Sequence, residues 1–314
     1  MSVTVKLVGF LVALAVIFGG AVGIGRAVGP INSAPAADHG EMEGDMEGMD
    51  MSEPGAIPKG LMVSQNGYSF RLNESTVSPG TAVPVSFTIE DPDGKPVTDY
   101  DVEHEKELHL IAVRRDFSGF QHVHPERAED GTWSTTLDLT AGQWRLFADF
   151  KANGAEAITL GNDLAVRGDY EPAAPAADTR TATVDDYTVT LDGDVTAGEE
   201  ARLTLSVTRD GAPVTDLEPY LGAYGHLVAL RSGDLAYLHV HPEGTPGDGE
   251  TEPGPDVVFF AEVPSPGRYH LYLDFKHDGV VRTAAFTVTA AGPSDSEPSP
   301  DDESDDEHVD DDAH

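Results

Sequence analysis

The chain writes one sequence unit twice, and any fold it adopts must be one that such a unit can form on its own. "DGKPVTD" at residues 93–99 returns as "DGAPVTD" at 210–216. From there to "FQHVHPE" (120–126) and "YLHVHPE" (237–243) the offset between copies stays at 117 without a gap. Further on, "AGQWRLFADFK" at 141–151 matches "SPGRYHLYLDFK" at 265–276, at an offset of 125, after "GTPGDGETEPGPD" has lengthened a loop in the second copy. Residues 61–167 and 181–290 are therefore two versions of one unit.

Each copy is built from short segments of alternating pattern, among them "YTVTLDG", "ARLTLSVTRD", "HLVAL", "YLHVH" and "RYHLYLDF", separated by Gly, Pro and Asp turns. This spacing predicts an all-β protein with two tandem immunoglobulin-like antiparallel β-sandwiches of about seven strands each. "LVGFLVALAVIFGGAVGIG", residues 7–25, is uncharged between Lys6 and Arg26. At 1.5 Å per residue it reaches roughly 28 Å, close to the hydrocarbon thickness of a bilayer. The expected layout is a membrane anchor or signal segment at 1–30 and a Met-rich acidic linker at 31–58. Sandwiches follow at 59–168 and 180–290, joined by a Pro and Ala linker at 169–179, with an acidic disordered tail at 291–314. Lys6 at the start and acids beyond Arg26 favour a single-pass cell-membrane protein with extracytoplasmic domains. Cleavage near Ala36, in "SAPAAD", would instead release it as a secreted protein.

The repeated histidines carry the chemistry. In each copy one histidine precedes an H-V-H pair by thirteen residues, giving His109, His122 and His124, and again His226, His239 and His241. A strand has a side-chain period of two, so both histidines of an H-V-H pair project from one face. The lone histidine opens "HLIAV" or "HLVAL", a strand expected beside the first, and neighbouring strands lie about 4.8 Å apart. Three imidazoles can thus converge on one ion and suit Cu(II) or Zn(II). Asp149 and its counterpart Asp274 are candidate fourth ligands or orienting carboxylates. In "RYHLYLDF" the set Tyr269, Leu271, Leu273 and Phe275 is expected to face the core, which leaves His270 and Asp274 on the other face. Binding by ordinary imidazoles should weaken between about pH 7 and 5.

Charge and cysteine content narrow the partners. Of 56 acids, seven lie in residues 38–53 and eleven in 293–314, leaving 38 elsewhere against 17 Lys and Arg once Lys6 and Arg26 are set aside. So acidic a body excludes nucleic acid as a partner and attracts cations. With no cysteine, any soft ligand is Met or His. Met42, Met46, Met49 and Met51, four of six methionines, fall in one short window with His39, a composition that suits Cu(I). Metal ions, the membrane and a copper transporter or chaperone are the expected partners.

"HLIAVRRDFSGFQHVHPE" with "AGQWRLFADF", and "HLVALRSGDLAYLHVHPE" with "SPGRYHLYLDF", resemble actinobacterial extracytoplasmic heavy-metal, mostly copper, homeostasis proteins. Those proteins carry immunoglobulin-like or YtkA-like domains with an HxHP motif. The resemblance implies metal handling and no particular reaction. The periplasmic copper-resistance C family uses an amino-terminal His ligand, which this chain lacks behind its anchor. Two other readings stay open: a cell-envelope interaction module with structural histidines, and a cupin-like metalloenzyme. The cupin pattern is split, since Glu129 has no counterpart near His241 and His270 has none in the first copy.

Overall fold

The computed structural model describes residues 57–292 apart from His239. Among the described residues there is no helix, and so none long and apolar enough to cross a membrane. The expected anchor, the acidic tail from residue 293, and His39, Met42, Met46, Met49 and Met51 lie outside the described residues. Both repeats fall within one compact unit.

Each repeat folds into two facing sheets. In the first, one sheet runs Ser64–Gln65, Tyr68–Leu72, Gly80–Glu90, Thr132–Leu139, Glu126–Arg127. The other runs Thr76–Val77, Ile158–Val166, Gly142–Ala152, Leu108–Arg114, Gln121–Val123, with Tyr100–Asp101 pairing Gly142–Ala152. The second repeat orders Thr181–Val184, Tyr187–Asp192, Glu200–Arg209, Asp256–Glu262, Val240–Pro242, and has Ala212–Pro213 beside Glu200–Arg209. Its facing sheet orders Tyr237–Leu238, His226–Arg231, Gly267–His277, Val280–Ala290. These sheets hold more strands than about seven per repeat, because two- and three-residue edge pieces join the long strands that the alternating pattern marks.

Strand periodicity builds each core. In Glu200–Arg209 the residues Ala201, Leu203, Leu205 and Val207 are buried while their neighbours lean outward. Phe70, Phe87, Ile89, Trp133 and Trp144 fill the equivalent space in the first repeat. Tyr269, Leu271, Leu273 and Phe275 face the second core as expected.

The strands that carry the histidines behave differently: they are buried on both faces, as the unbroken buried run of Leu108–Val113 shows. Leu108, Leu110 and Ala112 fill the first core, while Ile111, Val113 and Phe147 meet Val228, Leu230, Leu235, Tyr237 and Tyr272 in a third apolar cluster between the repeats. Phe120 stacks on Tyr272 at 3.9 Å and Phe117 on His270 at 3.8 Å between ring centres. The Tyr272 hydroxyl donates to the Phe117 carbonyl at 2.8 Å. Corresponding faces of the two copies are thus pressed together. That contact places the histidines of one repeat beside those of the other.

Candidate metal centre

His109 and His226 occupy equivalent places on their strands, each directly across from an aspartate, Asp149 and Asp274. Because both strands turn this face to the seam, the two imidazole rings stack at 5.8 Å, nearly parallel. His122, paired with Ile111, and His124 just beyond the same short strand close over His109 at ring separations of 5.4 and 5.0 Å. His122 also lies 4.9 Å from the His226 ring. Five side chains meet here, three from the first repeat and two from the second. His109, His122 and His124 form one group with ligand atoms all within 4.8 Å of one another, and His122, His226 and Asp274 form another.

Hydrogen bonds fix the tautomers. A carbonyl only accepts, so His109 uses Nε2–H to donate to the Glu103 carbonyl at 3.1 Å, which leaves Nδ1 as a lone pair. His122 donates from Nδ1 to Asp274 Oδ2 at 2.8 Å, which leaves Nε2 as a lone pair. Those two lone pairs face each other at 3.2 Å, and His124 Nε2 lies at the same distance from His109 Nδ1. His124 can donate a hydrogen bond to His109. The contact between His109 and His122 then still sets acceptor against acceptor unless a cation lies between them.

The separations fit an ion. Bonds of about 2.05 Å at a near-tetrahedral angle put ligand nitrogens about 3.3 Å apart. A proton is the competing cation, and the site disfavours it at neutral pH. Burial, then the neighbouring His122, pushes His109 down to about 4, and burial with His122 and His109 pushes His124 to about 3. Burial thus keeps His109 and His124 neutral at pH values where an exposed imidazole would already take up a proton.

The second carboxylate is deeply placed. Side-chain exposure is 1% for His122 and 3% for Asp274. Asp274 accepts from Thr283 Oγ1 at 2.5 Å and from His122. Burial, and then the nearby Asp274 charge, pushes the Tyr220 hydroxyl up to about 12.

A family model described as a domain of unknown function, DUF8832, matches residues 63–166 and again 182–292. The chain belongs to the DUF8832 family. No curated protein matches it. Among solved structures, this DUF8832 chain is similar to the Escherichia coli adhesin FdeC, at 15% identity over 73% of this chain and 65% of that one, TM-score 0.23. It is similar to the Yersinia pseudotuberculosis adhesin InvE, at 12% identity over 72% and 59%, TM-score 0.22. A marsupial T cell receptor matches at 11% over 72% of this chain and all of that one, TM-score 0.22. The chain thus spans less than two thirds of either adhesin.

Not every expected ligand of the DUF8832 chain converges. The first triad does, and Asp274 joins it from the other repeat. Asp149 stays outside both groups and accepts from Thr159 Oγ1 at 2.7 Å beside a cavity of about 30 Å³ that it shares with His109. Of the second expected triad, only His226 and His241 fall among the described residues. "YLHVH" is two strands rather than one: Val240 already pairs with Ala261 in the facing sheet, where its counterpart Val123 still pairs with Leu110. Val240 takes a core position, while the neighbouring His241 is exposed. His239 lies outside the described residues.

His104 and Thr283 were not read from the sequence. His104 sits in a turn at φ 48° with its ring 6.1 Å from His109 and 6.0 Å from His226. Its counterpart is Leu221, at φ 57°, so the turn is repeated but the imidazole is not. Thr283 was detectable: it faces Asp274 across two strands as Thr159 faces Asp149.

Proposed function

We propose that this chain is a membrane-anchored, extracytoplasmic metal-binding protein of two immunoglobulin-like sandwiches. Its centre is the triad of His109, His122 and His124, with Asp274 of the second repeat holding the His122 ring. The ion is Cu(II) or Zn(II), and the resemblance to copper-homeostasis proteins favours copper. The Met-rich linker, with His39, Met42, Met46, Met49 and Met51, collects Cu(I) and passes it to a transporter or chaperone. Binding is the function, with no catalytic step assigned. The observation that carries this reading is the 3.2 Å approach of His122 Nε2 to His109 Nδ1 when Glu103 and Asp274 hold both as lone pairs. The ion would bind where an acidic body concentrates cations.

A chelator-competition titration of the full chain at pH 7 with Cu(II) and Zn(II) tests it. Tight binding that falls at least a hundredfold in the His109→Ala plus His124→Ala variant is the expected result. Equal affinity in the variant would end the proposal. A second reading has one observation in its favour: the hydrogen bond from His122 to Asp274 crosses the seam with both side chains buried, and it would tie the repeats together without metal. Absence of tight binding in the native chain would select that interaction-module reading.

A further inference from the structure

His122 belongs to both ligand groups, and it does so with different ring nitrogens. Its Nε2 faces His109, while its Nδ1 lies 2.8 Å from Asp274 Oδ2 in the group completed by His226. We propose that the seam holds a second metal ion at His122 Nδ1, His226 and Asp274, bridged through the His122 ring to the ion of the triad. The inference rests on the triad being a metal site.

Three observations carry it. Asp274 is 2% exposed, and its only ion-pair partner among the described residues is His122. A buried carboxylate without a cation is costly, and hydrogen bonds from the neutral groups of His122 and Thr283 offset only part of that cost. The ligand types also match, since two imidazoles and a carboxylate suit Cu(II) or Zn(II). Finally, the spacing is right: bonds of about 2.0 Å meeting near a right angle, as in tetragonal Cu(II), put neighbouring ligand atoms about 2.8 Å apart. The observed His122–Asp274 separation is 2.8 Å.

Binding of the second ion replaces the proton on His122 Nδ1, which leaves to solvent, so His122 becomes an imidazolate between two cations. His226 stands directly across the strand pair from Asp274, which aims both side chains into the seam. The two repeats therefore each supply part of this ligand set: His122 from the first, His226 and Asp274 from the second.

The test loads the full chain with Cu(II), removes loosely held metal, and compares it with His226→Ala, Asp274→Asn and His109→Ala plus His124→Ala. Metal per chain and electron paramagnetic resonance are read together, with thermal melting to show that each variant folds. Differences between chains cancel whatever the linker and tail retain. The native chain is expected to hold one more copper than His226→Ala or Asp274→Asn. Its signal should be weaker than its copper content requires, because the ring couples the two spins, and His226→Ala should restore full intensity for the copper that remains. An unchanged metal count and spectrum in both His226→Ala and Asp274→Asn would overturn the second ion and leave the triad standing. Loss of all copper in His226→Ala would overturn it too, in favour of a single shared centre. If the triad variant also loses nothing, the triad itself is wrong. Should Asp274→Asn fail to fold, His226→Ala and His226→Gln decide the outcome.

Discussion

His109 shows how one backbone contact decides a side chain's chemistry. The Glu103 carbonyl takes the Nε2 proton, so the nitrogen that turns toward His122 and His124 is the one able to hold a cation. Desolvation makes the same residue a liability in acid. Its folded value near 4 is below the ordinary value of about 6.5, so the unfolded chain binds the proton first. The stability this group contributes is complete above pH 6.5 and is lost as pH falls from there toward 4. For His109 alone the loss between pH 7 and 5 is about 2 kcal/mol. Urea unfolding of the metal-free protein should show a lower midpoint at pH 5 than at pH 7. In the His109→Leu variant that difference should shrink, and an equal shift in both proteins would contradict the assignment. His104, by contrast, had no repeated partner to mark it.

The strands that carry the site are fixed by packing on two sides. Leu108–Arg114 places Leu108, Leu110 and Ala112 in its own sandwich and Ile111 and Val113 against the other repeat. Phe147 is fully buried in that seam, 5.7 Å from Tyr237. Truncating it to alanine should cost about 3–5 kcal/mol, while Tyr272→Phe, which deletes only the hydroxyl bond to Phe117, should cost about 1 kcal/mol. Thermal melting of the two variants checks the ranking, and comparable losses would mean that the hydroxyl rather than the aromatic face holds the seam. Period-two reading of the sequence found these strands and their inward faces. Unbroken apolar runs such as "HLIAV" and "HLVAL" also carried the second buried face, because strands covered on both sides lose alternation. What the pattern did not carry was the break inside "YLHVH". Whether a strand stays in one sheet or crosses to the facing one depends on which core has room for Val240, and that is a property of the assembled sandwich.

At the scale of the molecule, duplication turned one face into a pair of faces that meet each other. Ile111 and Val113 oppose Val228 and Leu230, their counterparts, in the way that a homodimer interface opposes the same patch on two subunits. The linker at 169–179 then acts as a tether: it is anchored where Ala173 N–H donates to Asp116 Oδ2 at 2.8 Å and where Asp178 pairs with Arg268 at 3.3 Å. Since His122 is held by Asp274 across the seam, metal binding at the proposed centre would be coupled to docking of the repeats, and such a coupling is reciprocal. Couplings of this kind typically change an affinity about 5- to 150-fold. A protease site placed within residues 174–177, between those two anchors, allows the chain to be nicked after folding, so that the repeats are held by the seam alone. On dilution, the concentration at which the nicked halves separate should fall by about tenfold or more when Cu(II) or Zn(II) is saturating. The Asp274→Asn protein should lose most of that dependence, because the second repeat then no longer holds His122 with a charge. Apolar contacts between Phe147, Tyr237 and Tyr272 would keep some association without metal, so the informative quantity is the ratio between the two conditions. A ratio of one would mean that the histidines lie at the seam without linking its two sides.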